Sequence, residues 1–490
     1  MSDIRIVYYN KTGERVVNKY YEFYTDVNNW GSDPAIIEEK IFCEDLNSGI
    51  NYSKSTNIGV PHFAHIFDSL KVRKTLNFSK YNYINNAIYD FNDPKLEHAD
   101  IFIIHADVLV FLTDEEVQKM LSIDAPIIVD ATFEAFVYSY YYPILKLFND
   151  KYKPKNKLTF IVGSNKYNND FTFEEEFEKY TNSKLKYFDY FRVNETLVGS
   201  SGLNDHFAEN LYMQNIISET EIISNFNSVK TKDFLCLNNR PRFHRMALIE
   251  KLRELDLIKN NYVSRRWQYP AKKHIVQPFI RELMFYDEHS DRMLDELRIY
   301  GETPATLLKK LKEYPGQMII EDLQENIEVR TDKDNSPDLI DDRSFSNAIY
   351  KNSHFSLAVE TYYESSFIDA YPRVLFEFDY TPSRAFLTEK VYKPIQYGHM
   401  FLPFGMKGTM RCLQNQGFEN FHEEFNCYDD TYDWHEDNSK RYNVFIDIIK
   451  NFDSTRVNNN TLEKILHNYR HFYNKEVLMN YIDSFLDEVL

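Results

Sequence analysis

Three apolar runs follow one another in the first third of the chain: IFIIHADVLVFL at 101–112, APIIVDA at 125–131 and KLTFIVGSN at 157–165. A run of this length, apolar at successive positions, suits a strand covered on both faces, and sheets covered on both faces are largely parallel. Thr113 stands between the first run and DEEVQKML, where its hydroxyl can cap a helix. A polar break, NDKYKPKNK, precedes the third run, and IRIVYY at 4–9 reads as an opening strand. Strand and helix signals therefore alternate, and the predicted class is α/β with an open, largely parallel sheet.

One such sheet does not account for 490 residues, a length beyond what a single hydrophobic core usually supports. The stretch from Asn194 to Lys230 is polar and weakly periodic. After it, TKDFLCLNNRPRFHRMALIEKLRELDLI begins a second series of strand, loop and helix, continued by FSLAVET, RVLFEF and MFLPFG. The expected domains are 1–228, 229–459 with a helical insertion at about 278–313, and a helical tail at 460–490. The tail carries Asn460-x-x-Glu463 as a capping box, with apolar Leu462, Ile465, Leu466 and Tyr469. With 43% hydrophobic and 16% aromatic residues, the composition excludes global disorder.

A net charge of −18 speaks against a grip on nucleic acid through the whole surface. The segment Lys230–Lys273 inverts that balance, with twelve Lys or Arg against four acids, and points to an anion partner. Cys43, Cys236, Cys412 and Cys427 form no CxxC pair or zinc spacing, so they read as reduced core residues of a cytoplasmic protein. No run approaches 18 apolar residues, and no membrane span is expected. GxGxxG, the P-loop and GxSxG do not occur, which removes the main sequence support for dinucleotide oxidoreductase, P-loop NTPase and α/β-hydrolase chemistry.

Two stretches concentrate charge where an α/β unit keeps its ligand. NNRPRFHR sets Asn238, Arg240, Arg242, His244 and Arg245 between a strand end and a helix start, where guanidinium forks and helix N–H groups match phosphate oxygens. FLTEKVYKPIQYGHMFLPFG places Thr388, Glu389, Lys390 and Lys393 at a second helix start. Thr388 is the expected N-cap, Glu389 suits the first turn, and Lys390 at a positive helix end calls for an anion. Pro394 either kinks that helix or begins it.

Together, FLCLNNRPRFHRMALIEKL and FEFDYTPSRAFLTEKVYKPIQYGHMFLPFG resemble the donor-binding half of phage-encoded glycosyltransferases, and more distantly the fucosyltransferase family. The resemblance covers residues 233 to about 420. It implies two Rossmann-like domains facing an interdomain cleft, the GT-B architecture, with a nucleotide-sugar donor and no required cofactor or metal. It further implies that Arg245 contacts the donor pyrophosphate and that Glu389 and Lys390 hold ribose and phosphate. Phe386 stands where that family usually has an aromatic hydroxyl, and Phe378 where Phe-Glu-Asn ends in Asn; both departures point away from GDP-fucose.

Inverting sugar transfer needs a general base, and a carboxylate just past a strand end is the expected one. Asp130 and Glu134 in PIIVDATFEA meet that placement; Asp107 is less suited, and His105 beside it is an alternative. Asp332–Asp334 and the i, i+4 pair His467 and His471 are discounted as metal ligands, the first for its polar Pro-containing loop, the second for lack of a third ligand. The preferred acceptor is a hydroxymethylated pyrimidine in phage DNA. SRRWQYPAKKH, with Arg265, Arg266 and Trp267, would contact the duplex and stack on a base. A surface glycan is the alternative acceptor, and a non-catalytic sugar-nucleotide-binding phage protein the alternative function.

Overall fold

The computed structural model describes residues 2–9, 76–109, 112–132, 148–166, 172–198, 217–238, 243–265, 347–360, 384–427, 431–435 and 437–490, with isolated positions in 61–67, 145–146 and at 363. These residues form two compact units. The first holds the described residues up to Val198 together with Tyr473–Leu490; the second holds those from Ile217 to Tyr363 together with Arg384–Phe472.

The first unit is built on a six-stranded sheet of β1 (Ser2–Tyr9), β2 (Tyr81–Ile88), β3 (Ile101–His105), β4 (Ile127–Ala131), β5 (Thr159–Val162) and β6 (Lys184–Tyr187), in the order β2-β1-β3-β4-β5-β6. Every pairing is parallel. All residues of β3, β4 and β5 are buried, as strands covered on both faces must be. Phe102, Ile104, Val129, Phe160 and Val162 meet in one core with Phe177. Helices α1 (Asp114–Leu121), α2 (Thr172–Thr181) and α3 (Tyr190–Val198) belong to the same unit. Thr113 caps α1 as expected: its hydroxyl accepts the Glu116 N–H at 3.2 Å and the Glu116 carboxylate accepts the Thr113 N–H at 2.7 Å. The strand read at 101–112 is shorter than expected, ending at His105 and passing into a helical turn over Ala106–Leu109. A continuous apolar run cannot by itself separate a strand from a buried helical turn.

In the second unit, helix α4 (Glu219–Phe226) leads into β7 (Lys232–Asn238), α5 (Phe243–Glu254) and β8 (Tyr262–Arg265). Helix α6 (Asn347–Asn352) runs directly into β9 (Ser353–Val359). Then come α7 (Glu389–Gln396), β10 (Met400–Phe404), α8 (Thr409–Asn415), α9 (Asn438–Lys450) and α10 (Asn459–Phe472). The sheet order is β10-β9-β7-β8, again wholly parallel. This repeats the β4-β3-β1-β2 part of the first sheet: each unit starts in the middle, adds its second strand on one side and continues on the other. Helix α4 lies inside the stretch read as weakly periodic, and its box of Ser218 and Glu221 is complete in both directions.

The last helix, α11 (Lys475–Val489), returns to the first unit. Its Asp483 accepts Ser79 Oγ at 2.8 Å, the Lys80 N–H at 2.8 Å and the Tyr83 hydroxyl. Phe485 packs on Phe63 and Phe188, with ring centroids at 5.4 and 4.9 Å. The cap of α10 lies two residues before the expected Asn460: the Asn458 side chain accepts the Asn460 N–H at 2.8 Å, and Thr461 Oγ1 accepts the Asn458 N–H at 3.1 Å. Among the described residues no helix is long and apolar enough to cross a membrane. Cys236, Cys412 and Cys427 are buried thiols; Cys43 and the insertion expected at 278–313 lie outside the described residues.

Candidate functional site

In an open parallel sheet a ligand lies beyond the carboxyl ends of the strands, where strand order turns back and neighbouring loops part. In the second unit that point falls between β7 and β9. The strands end at Asn238 and Val359, and Glu360 follows immediately. Glu360 is wholly buried, and it ties two helix starts to the end of β9.

Its carboxylate holds the start of α7. Oε1 accepts the Thr388 N–H at 3.0 Å and Oε2 accepts the Thr388 hydroxyl proton at 2.6 Å. Its backbone carbonyl holds the start of α5, accepting Arg245 Nη2 at 2.9 Å, Arg245 Nε at 3.3 Å and His244 Nε2 at 3.0 Å. Gly405, after β10, lets the chain pass close by. A Cβ there would sit 3.1 Å from the Cβ and Cγ of Glu360 and 2.7 Å from Thr409 Oγ1. The Gly405 carbonyl accepts Nη2 of the buried Arg441 at 2.6 Å, so the end of β10 is anchored from α9 as well.

Helix α7 begins where the sequence placed it. Thr388 has extended backbone, and its hydroxyl accepts the Lys390 N–H at 3.4 Å. Lys390 Nζ donates to Thr388 Oγ1 at 3.2 Å and to Glu389 Oε1 at 2.6 Å. Glu360, Thr388, Lys390 and Glu389 thus form one connected chain of hydrogen bonds. Pro394 lies inside α7, which starts at Glu389 and runs to Gln396. The choice between a kinked helix and one that starts at Pro394 therefore resolves against the later start.

Electrostatics separates the two carboxylates of this chain. Burial pushes the Glu360 carboxyl up, against the pull of Lys390 and the Thr388 hydrogen bonds. Burial acts on Glu389 in the same sense but is outweighed by Lys390 and Lys393, and its carboxyl is brought down to about 2. Two neighbouring carboxyls whose surroundings push them in opposite directions form the pattern by which sites separate proton donors from fixed charges. The Cys236 thiol below Asn238 is pushed up to about 12 by burial, so it is inert at neutral pH; Asn238 Nδ2 donates to its sulfur at 3.1 Å.

Of the expected donor residues, Asn238, Arg245, Thr388, Glu389, Lys390 and Lys393 come together around these strand and helix ends. Arg245 is only 2% exposed, and its guanidinium is turned onto the Glu360 carbonyl. Arg240 and Arg242 lie outside the described residues, as do Arg266, Trp267 and the Asp332–Asp334 loop. Arg265 ends β8 and is the register partner of Asn238, so its backbone sits at the same carboxyl edge. Glu360 was not among the expected residues. Its position was visible, since FSLAVET carries a carboxylate just past a strand, the same criterion that selected Asp130, but its role was not.

In the first unit the strand order turns back between β1 and β3, which puts the carboxyl end of β3, and His105, at the corresponding point. His105 is the register partner of Asp130 on β4. Asp130 is fully buried: Oδ2 accepts the Phe63 N–H at 2.7 Å, and Oδ1 accepts the Thr132 N–H at 2.9 Å and the Thr132 hydroxyl at 2.8 Å. Burial pushes its carboxyl up, while His105 and these hydrogen bonds oppose the shift. Glu134 lies outside the described residues. His467 and His471 face the loop after α8, their Nε2 atoms 3.0 and 2.6 Å from the carbonyls of Gly417 and Gln416.

No protein-family model, curated protein or solved structure matches the chain.

Proposed function

We propose that the protein is a glycosyltransferase of GT-B architecture whose second unit binds a nucleotide-sugar donor. The observation that carries this reading is the convergence, at the switch point of a parallel sheet, of two helix starts and the chain Glu360, Thr388, Lys390, Glu389. Helix N-termini and a lysine favour a diphosphate, and an ionised carboxylate beside them is suited to ribose hydroxyls. In this reading Lys390 and Lys393 take up the charge that develops on the departing diphosphate, as fixed electrostatics at the bond being broken. Arg240 and Arg242, which follow β7 in the sequence, are further candidates for the same phosphates. Arg245 and His244 keep the end of β9 in place beneath them.

The base that removes the acceptor proton is assigned to the first unit, to Glu134 or Asp130. The hydrogen bonds already made by Asp130 favour a positioning role for it, which leaves the proton to Glu134. The acceptor is a hydroxymethylated pyrimidine of duplex DNA. The placement of Arg265 beside Asn238 supports it, because it brings the start of the basic run Ser264–His274 to the donor edge.

A panel of nucleotide sugars, read by thermal stabilisation and by mass analysis of hydroxymethylated DNA, tests the whole reading. One donor should stabilise the protein and add one sugar mass per modified base. Lys390→Ala should lower turnover by at least about a hundredfold, the scale of losing one transition-state charge partner. Paired alanines at Arg265 and Arg266 should weaken DNA binding and flatten its salt dependence. Turnover on a glycan alone would remove DNA as the acceptor; donor binding without turnover on either would leave a non-catalytic binding protein.

A further inference from the structure

The second unit has a cavity of about 170 Å³ at the opposite, amino-terminal edge of its sheet. It opens where β9 and β10 begin, beside the approach to β7, and its walls include Ser228, Lys230, His354, Tyr397, His399 and Ser454. Its described lining holds a lysine, two histidines, two serines and two tyrosines, and no carboxylate. A volume well above the roughly 10–15 Å³ that one water requires leaves room for a polyatomic ligand.

Lys230 is fixed at the cavity wall by two helix ends. Its Nζ donates to the carbonyl of Asn225 on α4 at 2.7 Å and to that of Lys351 on α6 at 2.8 Å. An ammonium group has three protons to donate, and these two bonds use two of them. Capping of two helices accounts for that much. It does not account for a second basic side chain, His354, set on the same cavity.

Both groups are uncomfortable as cations where they stand. Burial, with the nearby Lys351 charge, brings Lys230 down to about 8, and burial with the Lys230 charge lowers His354, though Asp233 opposes this. His399 differs: burial takes it down to about 3, and its ring is held by Ser356 Oγ at 2.8 Å and the Ser353 carbonyl at 3.0 Å, so it is a neutral wall. A cavity that carries a lysine and a histidine, with no carboxylate in its described lining, offers N–H donors to a small anion.

We infer that this cavity is a binding site for a small oxyanion of the phosphate class, held between Lys230 and His354. The site is separate from the donor site: His354 near the start of β9 and Glu360 just past its end are six residues apart in sequence, roughly 20 Å of strand at about 3.3 Å per residue. It is therefore a second ligand site, at the opposite end of β7 and β9 from Glu360.

The test is a titration with inorganic phosphate against chloride at matched ionic strength, read by thermal shift and by phosphorus NMR line broadening. Four proteins are compared: wild type, Lys230→Gln, His354→Gln and Lys390→Ala. Wild type and Lys390→Ala should show the same saturable response, and the two cavity variants should lose about tenfold in affinity, the scale of one charge-assisted hydrogen bond. Should Lys230→Gln fail to fold for want of its helix caps, His354→Gln decides alone, since none of its known bonds closes a helix. The inference is overturned by the absence of a saturable response in wild type. It is equally overturned by a response lost in Lys390→Ala and kept in the cavity variants, which would assign the phosphate to the donor site.

Discussion

Glu360 serves two helices with one residue, the side chain for α7 and the carbonyl for α5. Removing the side chain leaves the Thr388 N–H and hydroxyl buried without it, so Glu360→Ala should cost about 1–3 kcal/mol in urea unfolding. Glu360→Gln, which keeps an acceptor oxygen for Thr388, should cost less. The two carboxylates give opposite pH signatures. A raised carboxyl contributes stability below its unfolded value, about 4.3, and loses it as pH rises through the folded value. Glu389, brought down to about 2, contributes above about 4.3 and loses that contribution as pH falls toward 2. Glu360→Gln should therefore flatten the fall in stability above about pH 4.3 and leave the acid limb below it unchanged; an unchanged fall above about pH 4.3 would contradict the raised Glu360.

At the scale of elements, the junction of β10 and α8 depends on a close approach. Gly405→Ala would put a methyl 3.1 Å from Glu360 and 2.7 Å from Thr409 Oγ1, so it should destabilise the second unit by about 1–3 kcal/mol in urea unfolding. The same elements show which features could be read in the sequence. Strands β3, β4, β5, β7, β9 and β10 were legible because parallel strands, buried on both faces, are written as short apolar runs. Helix α7 was legible from Thr388, whose hydroxyl suits an N-cap before a charged first turn. What was not legible required partners distant in sequence. Glu360 gains its role from Thr388, 28 positions later, and Asp130 meets the Phe63 N–H, 67 positions earlier. Arg245 reads as an exposed anion ligand in its loop, and only the fold turns it onto the Glu360 carbonyl.

At the scale of the molecule, the two sheets repeat one strand order, and α11 belongs to the unit that began the chain. Asp483 is the main polar tie, accepting from Ser79, the Lys80 backbone and Tyr83. Asp483→Ala should lower the midpoint of first-unit unfolding by an amount equivalent to about 2–4 kcal/mol, since several buried donors lose their acceptor together. Hydrogen exchange resolved by peptide should show that loss in β2 and leave β7 and β9 unaffected.

The return of α11 also sets an order of events during synthesis. A ribosome that has finished β6 must make the whole second unit before it reaches Lys475, and at roughly 5–20 residues per second that interval is about 15–60 s. Throughout it Phe63 and Phe188 lack the Phe485 ring that covers them in the finished protein. The unit translated first is thus completed last, and a chain stopped before Lys475 should leave Phe63 and Phe188 without that cover.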